Sequence, residues 1–217
     1  MIVGRINSIS IISYGTISFP FYLVDAKPVQ VGSSYEDHLV QYTPKLKETT
    51  EKIIDEANEI NQAQNLMQLL AQRAFQDNAP LELVQVSTEM HELQHLFQPY
   101  AKTSIEKELS AQLAEIVNGE PFLGLFNNLL QARQHLDGGI SLGGHTEAGI
   151  LAINYIFNKL FKDASLIRKD GSYITLEEFN AIIKREDIKK TFSAMTSETL
   201  QQIAQEAHMH FFKEKII

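Results

Sequence analysis

His91-Glu92-Leu93-Gln94-His95 places two imidazoles four residues apart with a carboxylate between them. On a helix, positions four apart share a face, so both rings can aim a nitrogen at a single ion. Glu92 is rotated by about 100° from His91, where its carboxylate reaches a metal-bound water without ligating the metal. Two neutral nitrogen ligands, an adjacent base and an open coordination position are what zinc hydrolysis requires. The chain has no cysteine, which excludes disulfides, zinc ribbons and thiol nucleophiles and leaves His, Asp and Glu as the only candidate metal ligands.

Two histidines alone seldom hold a catalytic zinc, so a third protein ligand is expected downstream. Glu106, Glu108 and Glu115 fall on the next expected helix, and His145 and Glu147 follow the glycine-rich stretch from Asp137 to Gly144. The segment from Phe97 to Ser104 is long enough to reverse the chain and lay the next helix against the first. Glu108 is in register with Ile105, Ala111 and Gln112, which favours it, with Glu106 and Glu115 as alternatives. Gly143-Gly144-His145-Thr146-Glu147 reads first as a connection into a helix starting at Thr146 and only second as a source of ligands. His208 and His210, two apart, face away from each other on a helix and read as surface residues.

The elements that must position these residues follow from periodicity and punctuation. Leu81–Val86 reads as a short strand closed by Ser87-Thr88, which caps a helix from about Thr88 to Gln98, before Pro99. Thr103-Ser104 starts the next helix, which stops at Asn118-Gly119; Pro121 opens another to about Leu136. A further helix spans about Thr146 to Phe161, and the tail from Thr175 to Lys213 is mostly helical, with Thr175 and Glu178 as a capping box. Upstream, Ile2–Ile12 and Ser18–Val24 flank Tyr14-Gly15-Thr16 as a β-hairpin, with a third extended piece near Val29–Val31. From Thr43-Pro44 to about Phe75, apolar residues at helical spacing predict one long helix or a broken pair. The expected fold is a single helix-dominated α+β domain: a β-rich edge over 1–32, a long helix, strand and metal-binding helices over 43–117, and a helical part over 120–217.

With 44% hydrophobic and 21% charged residues among 217, the chain is globular in composition. A formal charge of -8 makes nucleic acid a poor partner, because a phosphate backbone is repelled. No window approaches the roughly 18 apolar residues of a membrane span. Met1 to Gly15 lacks a basic stretch followed by an apolar one, so a reducing cytosol is the expected setting.

His91 to His95 followed by Glu106-Lys107-Glu108-Leu109-Ser110-Ala111-Gln112-Leu113-Ala114-Glu115 resembles the gluzincin zinc metallopeptidases, whose third ligand is a glutamate on a following helix. It looks most like the ImmA/IrrE type, whose second motif runs roughly E-x-x-A-x-x-x-A, here Glu108-x-x-Ala111-x-x-Ala114 with the second alanine one place early. Tyr100-Ala101-Lys102-Thr103 is similar to the lethal-factor type, where a tyrosine precedes the glutamate. The resemblance implies a zincin-like fold, Zn2+ held by His91, His95 and Glu108, Glu92 as general base and Tyr100 as a transition-state donor. It also implies a protein or peptide substrate bound along an edge strand, for which Ile2–Val24 is the candidate. Chain size and motif position further resemble secreted effector metalloproteases of intracellular bacteria, including one that cleaves actin, which implies action in a host cytosol. The other class of function open to the sequence is a non-enzymatic acidic helical adaptor in which the histidines are incidental.

Overall fold

The structure, a computed structural model, describes residues 65–75, 80–138 and 144–216. The expected strands at Ile2–Ile12, Ser18–Val24 and Val29–Val31 and the helix start at Thr43-Pro44 lie outside them. Among the described residues the chain forms eight helices: α1 Leu66–Phe75, α2 Pro80–Leu96, α3 Ser104–Asn118, α4 Pro121–Leu136, α5 His145–Leu160, α6 Leu176–Ile183, α7 Glu186–Ala194 and α8 Ser197–Phe212. No strand occurs among those residues, whose one β-pairing is an antiparallel bridge between Ile167 and Tyr173. This overturns the α+β expectation: the described part is helical, without a sheet beside the helix that carries His91 and His95.

The clearest correction is at Leu81–Val86, expected as a strand and found within α2. In a strand Val84 and Val86 would share a face, yet Val84 is 3% exposed and Val86 43%. Buried positions instead fall at Val84, Ser87 and His91, the spacing of one helical face. Thr88 caps nothing; it sits inside the helix, and its hydroxyl donates to the Val84 carbonyl at 2.6 Å, the back-bond available to a mid-helix threonine. The helix can therefore start at Pro80, where a missing N–H leaves nothing unpaired.

The expected starts of the later helices are found. Thr103 caps α3 in a capping box with Glu106, Pro121 stands in the first turn of α4 with Glu120 as cap, and Thr175 with Glu178 caps α6. Arg73 ties α1 to the end of α7 by donating to the Phe192 and Met195 carbonyls, both at 2.6 Å, while its guanidinium lies 3.7 Å from the centre of the Phe122 ring. Phe126, Phe157, Phe179 and Phe192 anchor the apolar core.

Helix α3 runs through the middle of this assembly, packed by α2, α4, α5 and α8, and every residue from Leu109 to Ile116 is buried. A helix covered all round is ordinarily apolar, but this stretch includes Ser110, Gln112 and Glu115, each of which needs a partner inside the protein. Ser110 finds one in His208. That histidine is fully buried rather than at the surface, and a hydrogen bond between its Nδ1 and the Glu214 carbonyl leaves Nε2 3.0 Å from both the Ser110 and Tyr100 hydroxyls.

Two outcomes follow from this packing. Helices α4 and α5 meet at Gly149, where a Cβ would fall 2.4 Å from Gln131 Cβ, so Gly149→Ala should lower stability by about 1–3 kcal/mol in chemical denaturation. Burial, partly offset by the Glu214 carbonyl, pushes the His208 pKa below its usual 6.5, so the unfolded chain takes up that proton first as the pH falls. The His208 contribution is thus fully present above about pH 6.5 and shrinks below it. In chelator-treated protein, His208→Gln should flatten the fall in melting temperature between pH 7 and pH 5, and equal slopes for both proteins would show that His208 does not supply it.

Candidate metal centre

Helices α2 and α5 each send histidines toward Glu108 on α3. His91 and His95 stand one turn apart on α2 with ring centroids 4.9 Å apart. Glu108, near the start of α3, faces both: Oε2 is 3.2 Å from His91 Nε2 and Oε1 is 3.7 Å from His95 Nε2. From the first residue of α5, His145 brings Nδ1 to 2.9 Å from Glu108 Oε2, its ring stacked on that of His91 at 5.9 Å. Each of these spacings, 2.9 to 3.7 Å, joins a Glu108 oxygen to one histidine and lies near the roughly 3.3–3.4 Å between donors at about 2.0–2.1 Å from a tetrahedral zinc. Glu92 is 7% exposed, and donor atoms lie within 4.8 Å of one another in two groups that share His91: His91 with Glu92 and His95, and His91 with Glu108 and His145.

The two α2 histidines are held from behind. Glu115 Oε1 lies 2.6 Å from His91 Nδ1, while its Oε2 accepts from the Ser87 hydroxyl and the Asn127 amide, each at 3.1 Å. Glu115 follows Glu108 by seven residues, two turns along the same stripe of α3, so the two carboxylates meet opposite edges of the His91 ring. Gln98 Nε2 lies against His95 Nδ1, while Gln98 Oε1 is buried with no partner. Exchanging the amide's two atoms would let Oε1 accept from Nδ1–H, with the His95 Nε2 lone pair then directed at Glu108.

These contacts set the charges. Burial opposes charge on His91, but hydrogen bonds to Glu108 and Glu115 outweigh it and hold the imidazole pKa well above its usual value. Burial would likewise raise Glu108, yet hydrogen bonds from His145 and His91 hold it far below the usual carboxylate range. His95 is lowered to about 4, first by burial and then by the charge on His91, so it is neutral at pH 7 with a lone pair free for a metal. Glu92 is raised to about 7, chiefly by burial and further by its carboxylate neighbours. In the metal-free protein a proton on His91 thus balances part of the carboxylate charge, in the place a divalent cation would take.

Of the residues expected from the sequence, His91, Glu92, His95 and Glu108 come together. Glu106 does not: its carboxylate accepts from the backbone N–H groups of Lys102 and Thr103 at the start of α3. Nor does Tyr100, whose hydroxyl is engaged by Gln94, Ser110 and His208, none of them a member of the cluster. Sequence reasoning ranked His145 too low and gave Glu115 no role behind a histidine. The seven-residue interval from Glu108 was the available signal for Glu115, whereas His145 was marked only by its place after the glycine-rich stretch.

The fold and the site define a helical protein with a buried imidazole–carboxylate cluster of metal-site geometry. Compared with protein-family models, curated proteins and solved structures, the chain matches none.

The arrangement ranks the cluster by its effect on metal affinity. In zinc titrations at pH 7.5 against a competing chelator, Glu115→Gln should weaken binding by the roughly 10–100-fold usual for a residue behind a ligand. His91→Ala, His95→Ala and Glu108→Ala should each weaken it more, and Glu106→Ala should leave it unchanged. Undiminished affinity in Glu108→Ala would remove that carboxylate from the site.

Proposed function

We propose that this protein is a zinc-dependent endopeptidase built on a helical scaffold, with His91, His95 and Glu108 as the metal ligands and Glu92 as general base. The observation that carries the reading is Glu108 on α3 facing both histidines of the α2 motif, at 3.2 and 3.7 Å, with a second, buried carboxyl, Glu92, beside them. The gluzincin-like order of His91, Glu92, His95 and Glu108 along the chain supports the same assignment.

A zinc ion at this point would polarise a substrate carbonyl and lower the pKa of a bound water toward about 7. The chain's own residues would do the rest. Glu92 takes a proton from the attacking water and passes it to the departing amine, and a carboxylate whose pKa lies near 7 suits both transfers. His95 enters the site already neutral, and His91 gives up its proton on binding the metal, so uptake releases about one proton near neutral pH. Glu115, with Oε1 against His91 Nδ1, would fix the His91 tautomer and strengthen it as a ligand. The substrate is a peptide or protein, and the peptide nitrogen is the leaving group.

Glu92→Gln keeps the side chain's volume and its hydrogen bonding but cannot accept a proton. Zinc content should stay near one equivalent, while cleavage of a peptide library, followed by mass spectrometry, should slow by about 10²–10⁴-fold. Full activity in that variant would overturn the assigned mechanism. Wild-type protein purified without zinc, with melting and activity indifferent to chelators, would overturn the enzyme reading in favour of a non-enzymatic helical adaptor.

A further inference from the structure

The two oxygens of Glu108 meet different histidines. Oε1 faces His95 Nε2 at 3.7 Å, while Oε2 lies 3.2 Å from His91 Nε2 and 2.9 Å from His145 Nδ1. The shortest of these contacts is made by the residue outside the α2 motif. Glu108, held far below the usual carboxylate range, is ionised and only accepts, so the proton sits on the histidine and Nδ1–H donates to Oε2. A spacing of 2.9 Å is that of a hydrogen bond and is shorter than the roughly 3.3–3.4 Å between two ligands of one tetrahedral zinc.

This contact is built from the backbone outward. Ile105, Glu108 and Gln112 lie along one stripe of α3, and the start of α5 is held to that stripe on both sides of the carboxylate. On one side Gln112 donates its side-chain amide to the His145 carbonyl at 2.9 Å. On the other, Gly144 takes φ +92 and packs so closely that a Cβ there would fall 2.8 Å from Ile105 Cγ1, a conformation and a clearance that suit only glycine. The His145 ring is then oriented by stacking on that of His91, with centroids 5.9 Å apart and planes 19° from parallel.

The histidines of α2 have outer partners of the same kind, Glu115 at His91 Nδ1 and Gln98 at His95 Nδ1. We infer that His145 is the positioning residue of Glu108: its Nδ1–H holds Oε2, so that Oε1 is the oxygen presented to a zinc ion bound by His91 and His95. The inference rests on the zinc assignment above and gives each of the three assigned ligands one outer partner, the arrangement that fixes a ligand's orientation and raises metal affinity. Direct ligation is the competing role for His145, because its donor atom lies within 4.8 Å of those of His91 and Glu108. Substitution separates the two.

Asparagine is the discriminating residue, since its Nδ2 stands as many bonds from Cα as histidine Nδ1 and donates there, whereas an amide is a poor zinc ligand. In zinc titrations of the full chain at pH 7.5 against a competing chelator, His145→Ala should weaken binding by about 10–100-fold, and His145→Asn should recover most of that loss. With Co2+, whose visible absorption reports the donor set, wild type and His145→Asn should give superimposable spectra. Wild-type affinity in His145→Ala, or equal losses in both variants with unchanged circular dichroism, would overturn the inference and leave the zinc assignment standing. A changed Co2+ spectrum in His145→Asn would also overturn it, by making the imidazole a ligand. Failure of the wild-type protein to bind zinc would bring down the zinc assignment and this inference together.

Discussion

Helix α3 is buried on every side from Leu109 to Ile116 and yet carries Glu115 there, with Glu108 just before it, and the rest of the described structure is arranged around satisfying them. An unpaired buried carboxylate is among the least tolerable groups in a protein interior, so each oxygen must meet a cation or a donor. His91 resolves most of this by lying between Glu108 and Glu115 with one ring nitrogen to each. That single imidazole fixes the register of α2 against α3. Ser87 and Asn127 supply the remaining donors to Glu115 from α2 and α4, so three helices are tied together by one side chain.

The same polar seam continues along α3 beyond the cluster. Gln94 donates to the Tyr100 and Ser110 hydroxyls, and both lie 3.0 Å from His208 on α8. Gln112 reaches α5 through the His145 carbonyl. Each helix packed on α3 is thus positioned by a specific hydrogen bond as well as by apolar contact, and such contacts allow fewer alternative registers than a uniformly apolar core would. The apolar mass lies around this seam, in the phenylalanines of α4 to α7, and supplies the burial that makes the seam's polar groups so sensitive to their partners.

The arrangement has a chemical consequence. A buried site with more carboxylates than cations holds a proton on His91, and a metal ion taken up as proposed would compete with that proton. Under the proposed function a divalent cation would displace that proton and offset the charge of Glu108, with Glu92, raised to about 7 by burial, beside it. With no family or structural neighbour to lean on, the functional reading stands on this site and its charge balance, which is where function is encoded in any case.

Much of this was legible in the chain itself. The spacing of His91, Glu92 and His95, the register of Glu108, the caps at Thr103, Pro121 and Thr175, and the helical tail are local properties, fixed by residues within a few positions of one another. Local reasoning failed where neighbours in space decided. The apolar run at Leu81–Val86 fits a strand or a helix equally well until burial separates Val84 from Val86. His208 reads as a surface residue until α8 is laid against α3, which buries it against Tyr100 and Ser110. Glu106, Glu108 and Glu115 are chemically alike in sequence; tertiary packing alone turned one to the backbone at a helix start, one to two histidines, and one to the far side of an imidazole. His145 stands 37 residues beyond Glu108, and only the packing of α5 on α3 brings its ring to the cluster. A sequence fixes which groups can carry charge and which face of a helix they occupy, but the cost of burying that charge, and so the partner each group must take, exists only once the helices are assembled.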